Sequence, residues 1–72
     1  MIRLTRLNGK VFVVNAELIE ILEETPDTVV TLNNGNRFVV SEGVDEVIER
    51  VVKYRKSIYH FTVDFETNKS GV

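Results

Sequence analysis

Alternating apolar and polar residues, followed by Asn-Gly and a β-branched run, occur twice in the first forty positions. Residues 2–6 (IRLTR) alternate, which is typical of a half-buried strand, and Asn8-Gly9 leads into the run VFVV at 11–14. The same order recurs around Asn34-Gly35. Asn-Gly between such runs predicts a hairpin, because both residues accept the positive φ angles of a type I′ turn. The pattern therefore predicts two similar hairpins, with strands at 2–7, 10–15, 28–33 and 36–41.

A two-residue loop at Asn8-Gly9 also fixes a register for the first hairpin. It places Leu4 opposite Val13 and Thr5 opposite Phe12, so both faces carry apolar side chains. One short helix covers only one of these faces. We therefore expect either a curled, barrel-like sheet or burial of the second face by self-association.

The segment between the hairpins allows two interpretations. Residues 16–24 consist of strong helix formers, and Asn15 is a suitable N-cap. A helix here would be short, however, and the turn residues 25–28 (TPDT) lead directly into the next strand. We favour a strand at 18–24, and the helical alternative stays open.

The clearest helix covers residues 44–58. Acidic residues precede or begin it and basic residues end it, as the helix dipole favours, and Ser41 or Gly43 is the candidate N-cap. Its apolar residues recur at helical spacing and form one stripe: Val44, Val47, Ile48, Val51, Val52 and Ile58.

The segment after this helix is rich in aromatic residues. Tyr59, Phe61, Val63 and Phe65 alternate with polar residues, which predicts a sixth strand or an oligomerisation arm at 59–66 that adds to a sheet edge. Residues 67–72 are expected to form a frayed tail. The fold prediction is thus α+β: a single domain at 1–58 with a five-stranded antiparallel meander, a C-terminal amphipathic helix, and a short strand or arm.

Composition excludes several classes of function. The chain has 72 residues, 43% of them apolar, a net charge of −2, no cysteine and one histidine, His60. Disulfides, thiolate zinc and cysteine nucleophiles are therefore excluded, and we predict no catalytic, metal or cofactor site. No apolar run is long enough to cross a membrane. The protein is expected to be cytoplasmic and not an enzyme.

The charged residues suggest surfaces for partners. The segment 17–27 carries five acidic residues and no basic one, which is typical of a solvated face. Basic residues occur on the first hairpin and at the helix end, as in a small RNA- or DNA-binding regulator, although the acidic pI of about 5.3 disfavours this alternative. The candidate partner-binding residues are Arg50, Lys53, Lys56, Tyr59, Phe61, Phe65, Glu20 and Glu24. The basic residues of the nucleic-acid alternative are Arg3, Arg6 and Lys10 on the hairpin, and Arg50, Lys53, Arg55 and Lys56 on the helix.

Several stretches together resemble a known family. They are residues 1–10 (MIRLTRLNGK), 12–20 (FVVNAELIE), 24–32 (ETPDTVVTL), Asn34-Gly35 with Phe38-Val39-Val40, and the helix from Val44 to Arg55. This pattern is similar to the FlbD/SwrD family of small flagellar proteins. The resemblance implies a non-enzymatic motility accessory that supports swarming by contacting flagellar motor proteins, stator or rotor, at the inner face of the membrane. The membrane would be reached only through a stator, and we expect a homo-oligomer.

Overall fold

The computed structural model describes the backbone of residues 1–70 and the side chains of residues 1–58. It has five strands, one 3-10 turn and one long helix. Their bounds are β1 Ile2–Thr5, β2 Val11–Val14, η1 Ala16–Leu18, β3 Ile19–Glu24, β4 Thr28–Leu32, β5 Arg37–Val40 and α1 Val44–Ser70. The α+β class is confirmed.

The strands form two antiparallel sheets rather than one five-stranded meander. β1 pairs with β2, and β3, β4 and β5 form the second sheet in that order. The sheets meet at a bridge between Arg6 and Val40, beside which the Ser41 N–H donates to the Thr5 carbonyl over 2.8 Å. β2 and β3 are not paired, so the assembly is not a closed barrel.

The turn η1 explains why β2 does not continue into a pairing with β3. The Asn15 side chain accepts a hydrogen bond from the Glu17 N–H at 3.0 Å, and the Leu18 N–H donates to the Asn15 carbonyl. This cap turns the chain before β3 begins at Ile19. Both interpretations of segment 16–24 are thus partly right, because a short helical turn with an Asn15 cap precedes the predicted strand.

The first hairpin closes through a three-residue loop, not the predicted type I′ turn. The Gly9 N–H donates to the Arg6 carbonyl, and the Arg6 N–H donates to the Lys10 carbonyl. Gly9 has a φ of 88°, whereas Asn8, like the other non-glycine residues that the structure describes, does not have a positive φ. A type I′ turn requires positive φ at both central residues, so the prediction is wrong in turn type. The Asn8 side chain instead accepts from the Lys10 N–H at 3.0 Å.

The second hairpin repeats this turn, which confirms that the two hairpins are similar. The Gly35 N–H donates to the Leu32 carbonyl, Gly35 has a φ of 91°, and the Asn34 side chain accepts from the Asn36 N–H.

The longer loop changes the register of the first hairpin by one residue. Leu4 pairs with Phe12 and Arg3 pairs with Val13, instead of the predicted Leu4–Val13 pairing. Because side chains alternate along a strand, Leu4 and Phe12 face the core together and Val13 faces outward beside Arg3. The core-facing side of this hairpin is therefore more apolar, and the outer side more polar, than the sequence predicted.

The helix packs on the sheets through only part of the predicted stripe, because Ile48, Val52 and Ile58 of that stripe are exposed. Val47 is fully buried, and Val51 and Tyr54 pack against the core at its edge. The buried apolar residues form one cluster: Ile2, Leu4, Val14, Ala16, Val30, Leu32, Val40 and Val47.

α1 does not end at Ile58 but continues to Ser70, so the prediction of a sixth strand or β-arm at 59–66 is wrong. No proline or glycine interrupts residues 44–70, and Ile58, Phe61 and Phe65 also have helical spacing. A helix already formed over four turns therefore propagates through the segment. The predicted frayed tail is likewise helical over 67–70, while residues 71–72 lie outside the described residues.

Candidate interaction surface

A buried carboxylate joins the start of α1 to the first sheet. Glu42, in the connection between β5 and α1, accepts hydrogen bonds at 2.9 Å from both the backbone N–H and the hydroxyl of Thr5. Arg50 donates to the same carboxylate at 2.9 Å and also forms an ion pair with Glu46 one turn away. We call Thr5, Glu42, Glu46 and Arg50 the Glu42 cluster.

The environment of Glu42 favours its charged form. Burial alone raises the pKa of this carboxyl. The hydrogen bonds from Thr5, from the backbone N–H of Glu42 and from Arg50 outweigh burial and hold the pKa below its ordinary value. The sequence predicted only a favourable interaction of Glu42 with the helix dipole and missed its burial. No signal in the local sequence distinguishes Glu42 from the solvated acidic residues that usually precede a helix.

Arg50, a candidate partner-binding residue, is occupied by contacts inside the molecule. Its Nη1 atom donates to the Arg3 carbonyl at 2.6 Å and to Glu42, and Nη2 contacts Glu46. About a third of the side chain, 35%, remains exposed. Its first role is therefore to fasten α1 to β1.

Glu24, another candidate, caps the helix from the second sheet. Its Oε1 atom accepts from the Val44 N–H at 2.6 Å, and the Thr28 hydroxyl donates to the same oxygen at 3.4 Å. Gly43, one of the two predicted candidates, occupies the N-cap position, since its carbonyl accepts from the Val47 N–H at 3.0 Å. Glu24 supplies the side-chain hydrogen bond that a glycine lacks. A strand carboxylate satisfies the free N–H and complements the positive end of the helix dipole. Glu20 is exposed on the same strand.

Lys53 and Lys56 are exposed on α1. Lys53 borders an open groove of about 400 Å³ between β1 and the helix. This β1–α1 groove is lined by Met1, Ile2, Arg3, Arg50, Lys53, Tyr54 and Ser57, which give it an apolar floor and a basic rim. It can hold an apolar segment that carries an acidic group.

A second, smaller groove lies on the other side of the helix. Ile48 and Val52 are 45% and 43% exposed and, with Ile19 and Leu22 of β3, border a space of about 130 Å³. Arg55 also lines this space and lies 3.7 Å from the Glu17 carboxylate. The helix therefore leaves apolar surface open on both of its flanks.

Arg6 of the first hairpin is exposed but also contacts two aromatic rings. The Arg6 guanidinium lies over the Phe12 ring at 4.4 Å and near the Phe38 ring at 5.4 Å. The two rings are 5.3 Å apart. Arg6 therefore packs on an aromatic pair that spans the two sheets, as cation–π geometry favours.

The aromatic candidates belong to the distal helix. Tyr59, Phe61 and Phe65 lie on the backbone of α1, and their side chains lie outside the described residues. The structure thus brings Arg50 and Lys53 to one groove, places Glu24 and Glu20 on β3, and puts Lys56 and the aromatic residues farther along the helix.

Within residues 1–58, no three acidic or histidine side chains come together in a way that could hold a metal ion. Nor does any described helix have the length and apolar character needed to cross a bilayer. The arrangement found in this part of the chain is suited to binding: open grooves, a basic rim and exposed apolar residues on α1.

Comparison with known proteins gives one result. The family model for FlbD, described as flagellar and swarming motility proteins, matches residues 1–59. Searches of curated proteins and of solved structures returned no match. The matched range contains all five strands and the part of α1 that packs on them. The chain therefore belongs to the FlbD family of flagellar and swarming motility proteins.

Proposed function

We propose that this protein supports flagellar motor output during swarming by binding a motor component, a stator or rotor protein, without catalysing a reaction. The observation that carries the proposal is the family match, which covers the whole sheet-and-helix domain. The binding would take place at the cytoplasmic base of the flagellum. The membrane would be approached only through the stator.

The β1–α1 groove is the surface we assign to this contact. Its floor contains Ile2 and Tyr54, and its rim contains Arg3, Lys53 and the exposed part of Arg50. Interfaces of this type place an apolar centre inside a polar, charged rim. A motor segment with one apolar anchor and an acidic neighbour would match both features, and the charges would speed its association.

Two charge reversals on the helix, at Lys53 in the rim of the groove and at the exposed Lys56 three residues farther on, test this assignment. Three tagged proteins are each expressed in a flagellated bacterium that lacks its own copy of the gene. They are the full wild-type chain, the double variant Lys53→Glu/Lys56→Glu, and the control double variant Lys10→Glu/Arg37→Glu. The control also reverses two exposed charges, but on the turn and strand away from α1. We expect the helix variant to lose swarming and the capture of motor proteins, and the control to keep both.

Nuclease treatment separates this function from nucleic-acid binding. If motor proteins co-purify with and without nuclease, contact with protein is supported. If no motor protein co-purifies once nuclease has removed nucleic acid, the proposed function is wrong. If both double variants swarm normally, the assignment of the contact to the β1–α1 groove is wrong. Nucleic-acid binding through the basic residues that each double variant keeps would also show an affinity that falls steeply as the salt concentration rises.

A further inference from the structure

The apolar positions of α1 continue in one regular pattern past the end of the sheets. Successive spacings of three and four residues run through Val44, Val47, Val51, Tyr54, Ile58, Phe61 and Phe65. This is the heptad spacing of helices that pack along one another, with these residues at the a and d positions. Asn68 occupies the next d position.

The two halves of this stripe have different surroundings. In the first half, Val47 is fully buried and Val51 and Tyr54 pack against the core. At Ile58 the exposed fraction rises to 46%, and the helix backbone continues for twelve more residues. We call the a and d positions from 58 onward, Ile58, Phe61, Phe65 and Asn68, the distal seam.

We propose that the distal seam binds the distal seam of a second copy of this chain, with the two helices antiparallel. This proposal goes beyond the proposed function and does not depend on it, since pairing requires no motor protein. A second copy supplies a helix of the same length and heptad spacing. The shared pattern makes the contact reciprocal, as a two-fold interface requires.

The position of the sheets determines the direction of pairing. Each copy's own sheets cover the proximal part of the stripe, on the same face of the helix as the distal seam. Parallel helices would bring both pairs of sheets into the space between them. In the antiparallel arrangement the domains lie at opposite ends, and the partner helix occupies the seam where the sheets stop.

Full burial of the distal seam gives an area at the lower limit for a specific dimer. A phenylalanine buries roughly 150–250 Å². Two from each copy, with Ile58 from each, give on the order of 1,000 Å² in total, the lower limit for a specific interface. The first turns of α1 are already formed on the sheets, so pairing does not carry the cost of helix nucleation.

Mass measurement on the full chain tests the pairing. In analytical ultracentrifugation at micromolar concentration we expect twice the 8.2 kDa chain mass. Phe61→Glu and Phe65→Glu, which put a charge in the seam, should raise the dimer dissociation constant on the order of 100-fold or more. Val63→Glu is the matched control, because it puts the same charge on the same helix segment at a position outside the a and d sites. It should remain a dimer.

A distance measurement tests the direction. The chain has no cysteine, so Asp45→Cys places a single spin label on the first turn of α1. An antiparallel pair centred on residues 58–70 separates the two labels by roughly 57 Å along the helix axis, at about 1.5 Å per residue. A separation below the length of one helix, roughly 40 Å, would contradict the antiparallel arrangement.

The other possible results for the wild-type chain and the Phe61→Glu variant also support or overturn the proposed dimer. Far-UV circular dichroism of each variant shows whether the fold is retained, so a monomeric but folded Phe61→Glu variant supports the seam. A wild-type chain that stays monomeric throughout the micromolar range overturns the proposal. So does a Phe61→Glu variant that still dimerises as tightly as wild type. A monomeric wild type whose Phe61→Glu variant loses motor proteins would overturn it too, and would assign the distal seam to the motor partner instead.

Discussion

Replacing Glu42 by alanine should destabilise the protein more than removing any other carboxylate within the described residues. The carboxylate accepts hydrogen bonds from the Thr5 N–H, the Thr5 hydroxyl and Arg50, and only 6% of its side chain is exposed. Alanine leaves both Thr5 donors without their partner and removes the charge that faces Arg50. The junction of β1, β5 and α1 loses its polar connection.

The magnitude follows from these contacts. Removing one member of a buried ion pair costs about 3–5 kcal/mol. Arg50 is one-third exposed and keeps its contacts with Glu46 and the Arg3 carbonyl, so part of the loss is recovered through solvent and those partners. We therefore expect the free energy of unfolding to fall by about 2–4 kcal/mol. Small domains have about 5–15 kcal/mol in total, so this is a large fraction.

Urea unfolding at pH 7 measures this loss. The chain has no tryptophan, so far-UV circular dichroism is the suitable signal, and protein concentration is held constant because self-association changes apparent stability. Glu49→Ala, an exposed carboxylate on the same helix, is the control and should change the free energy of unfolding by less than about 0.5 kcal/mol. If Glu42→Ala also stays within about 0.5 kcal/mol of wild type, the structural role assigned to the Glu42 cluster is refuted.

Two further predictions concern pH and the turns. Because the pKa of Glu42 is lowered by folding, its contribution to stability is present above the ordinary glutamate pKa, about 4.3, and is lost as pH falls through the lower folded value. Glu42→Gln does not titrate, so the gap in urea midpoint between it and wild type should narrow as pH falls from 7 to 3; a constant gap would contradict the charged role. Gly35 has a φ of 91° and open space where a methyl group would lie, so Gly35→Ala should cost about 1–2 kcal/mol through backbone strain alone. A neutral effect in the same urea assay would contradict the left-handed turn.

The hairpins could be predicted from the sequence, but their turn type could not. Asn-Gly suits a two-residue type I′ loop and equally a three-residue loop with glycine in the left-handed region. The choice depends on whether Leu7 and Asn33 belong to the strands or to the loops, and their local sequence allows both. The resulting shift of one residue changed which side chains face the core.

The distal helix shows a second limit of pattern analysis. Phe61 and Phe65 fit a strand, because each is an even number of residues from Tyr59. They also fit a helix, because Phe61 lies three residues after Ile58 and Phe65 lies four residues after Phe61. The preceding helix decides between them, since extending a formed helix costs less than starting a new strand. The burial of Glu42 was not predictable either, because an acidic residue before a helix is usually solvated.

The division into two sheets has a mechanical consequence. In the described part of the chain, the backbone link between the sheets is the Arg6–Val40 bridge with its neighbouring Ser41–Thr5 hydrogen bond, whereas each pair of strands inside a sheet shares at least four paired positions. Parting the sheets therefore breaks fewer bonds than fraying either one.

α1 lies across the junction between the two sheets and forms hydrogen bonds with both of them. Arg50 holds the Arg3 carbonyl of the first sheet, and Glu24 of the second sheet holds the Val44 N–H. A force applied along the helix is consequently transmitted to both sheets and does not separate them. The two sheets are therefore coupled mechanically through α1.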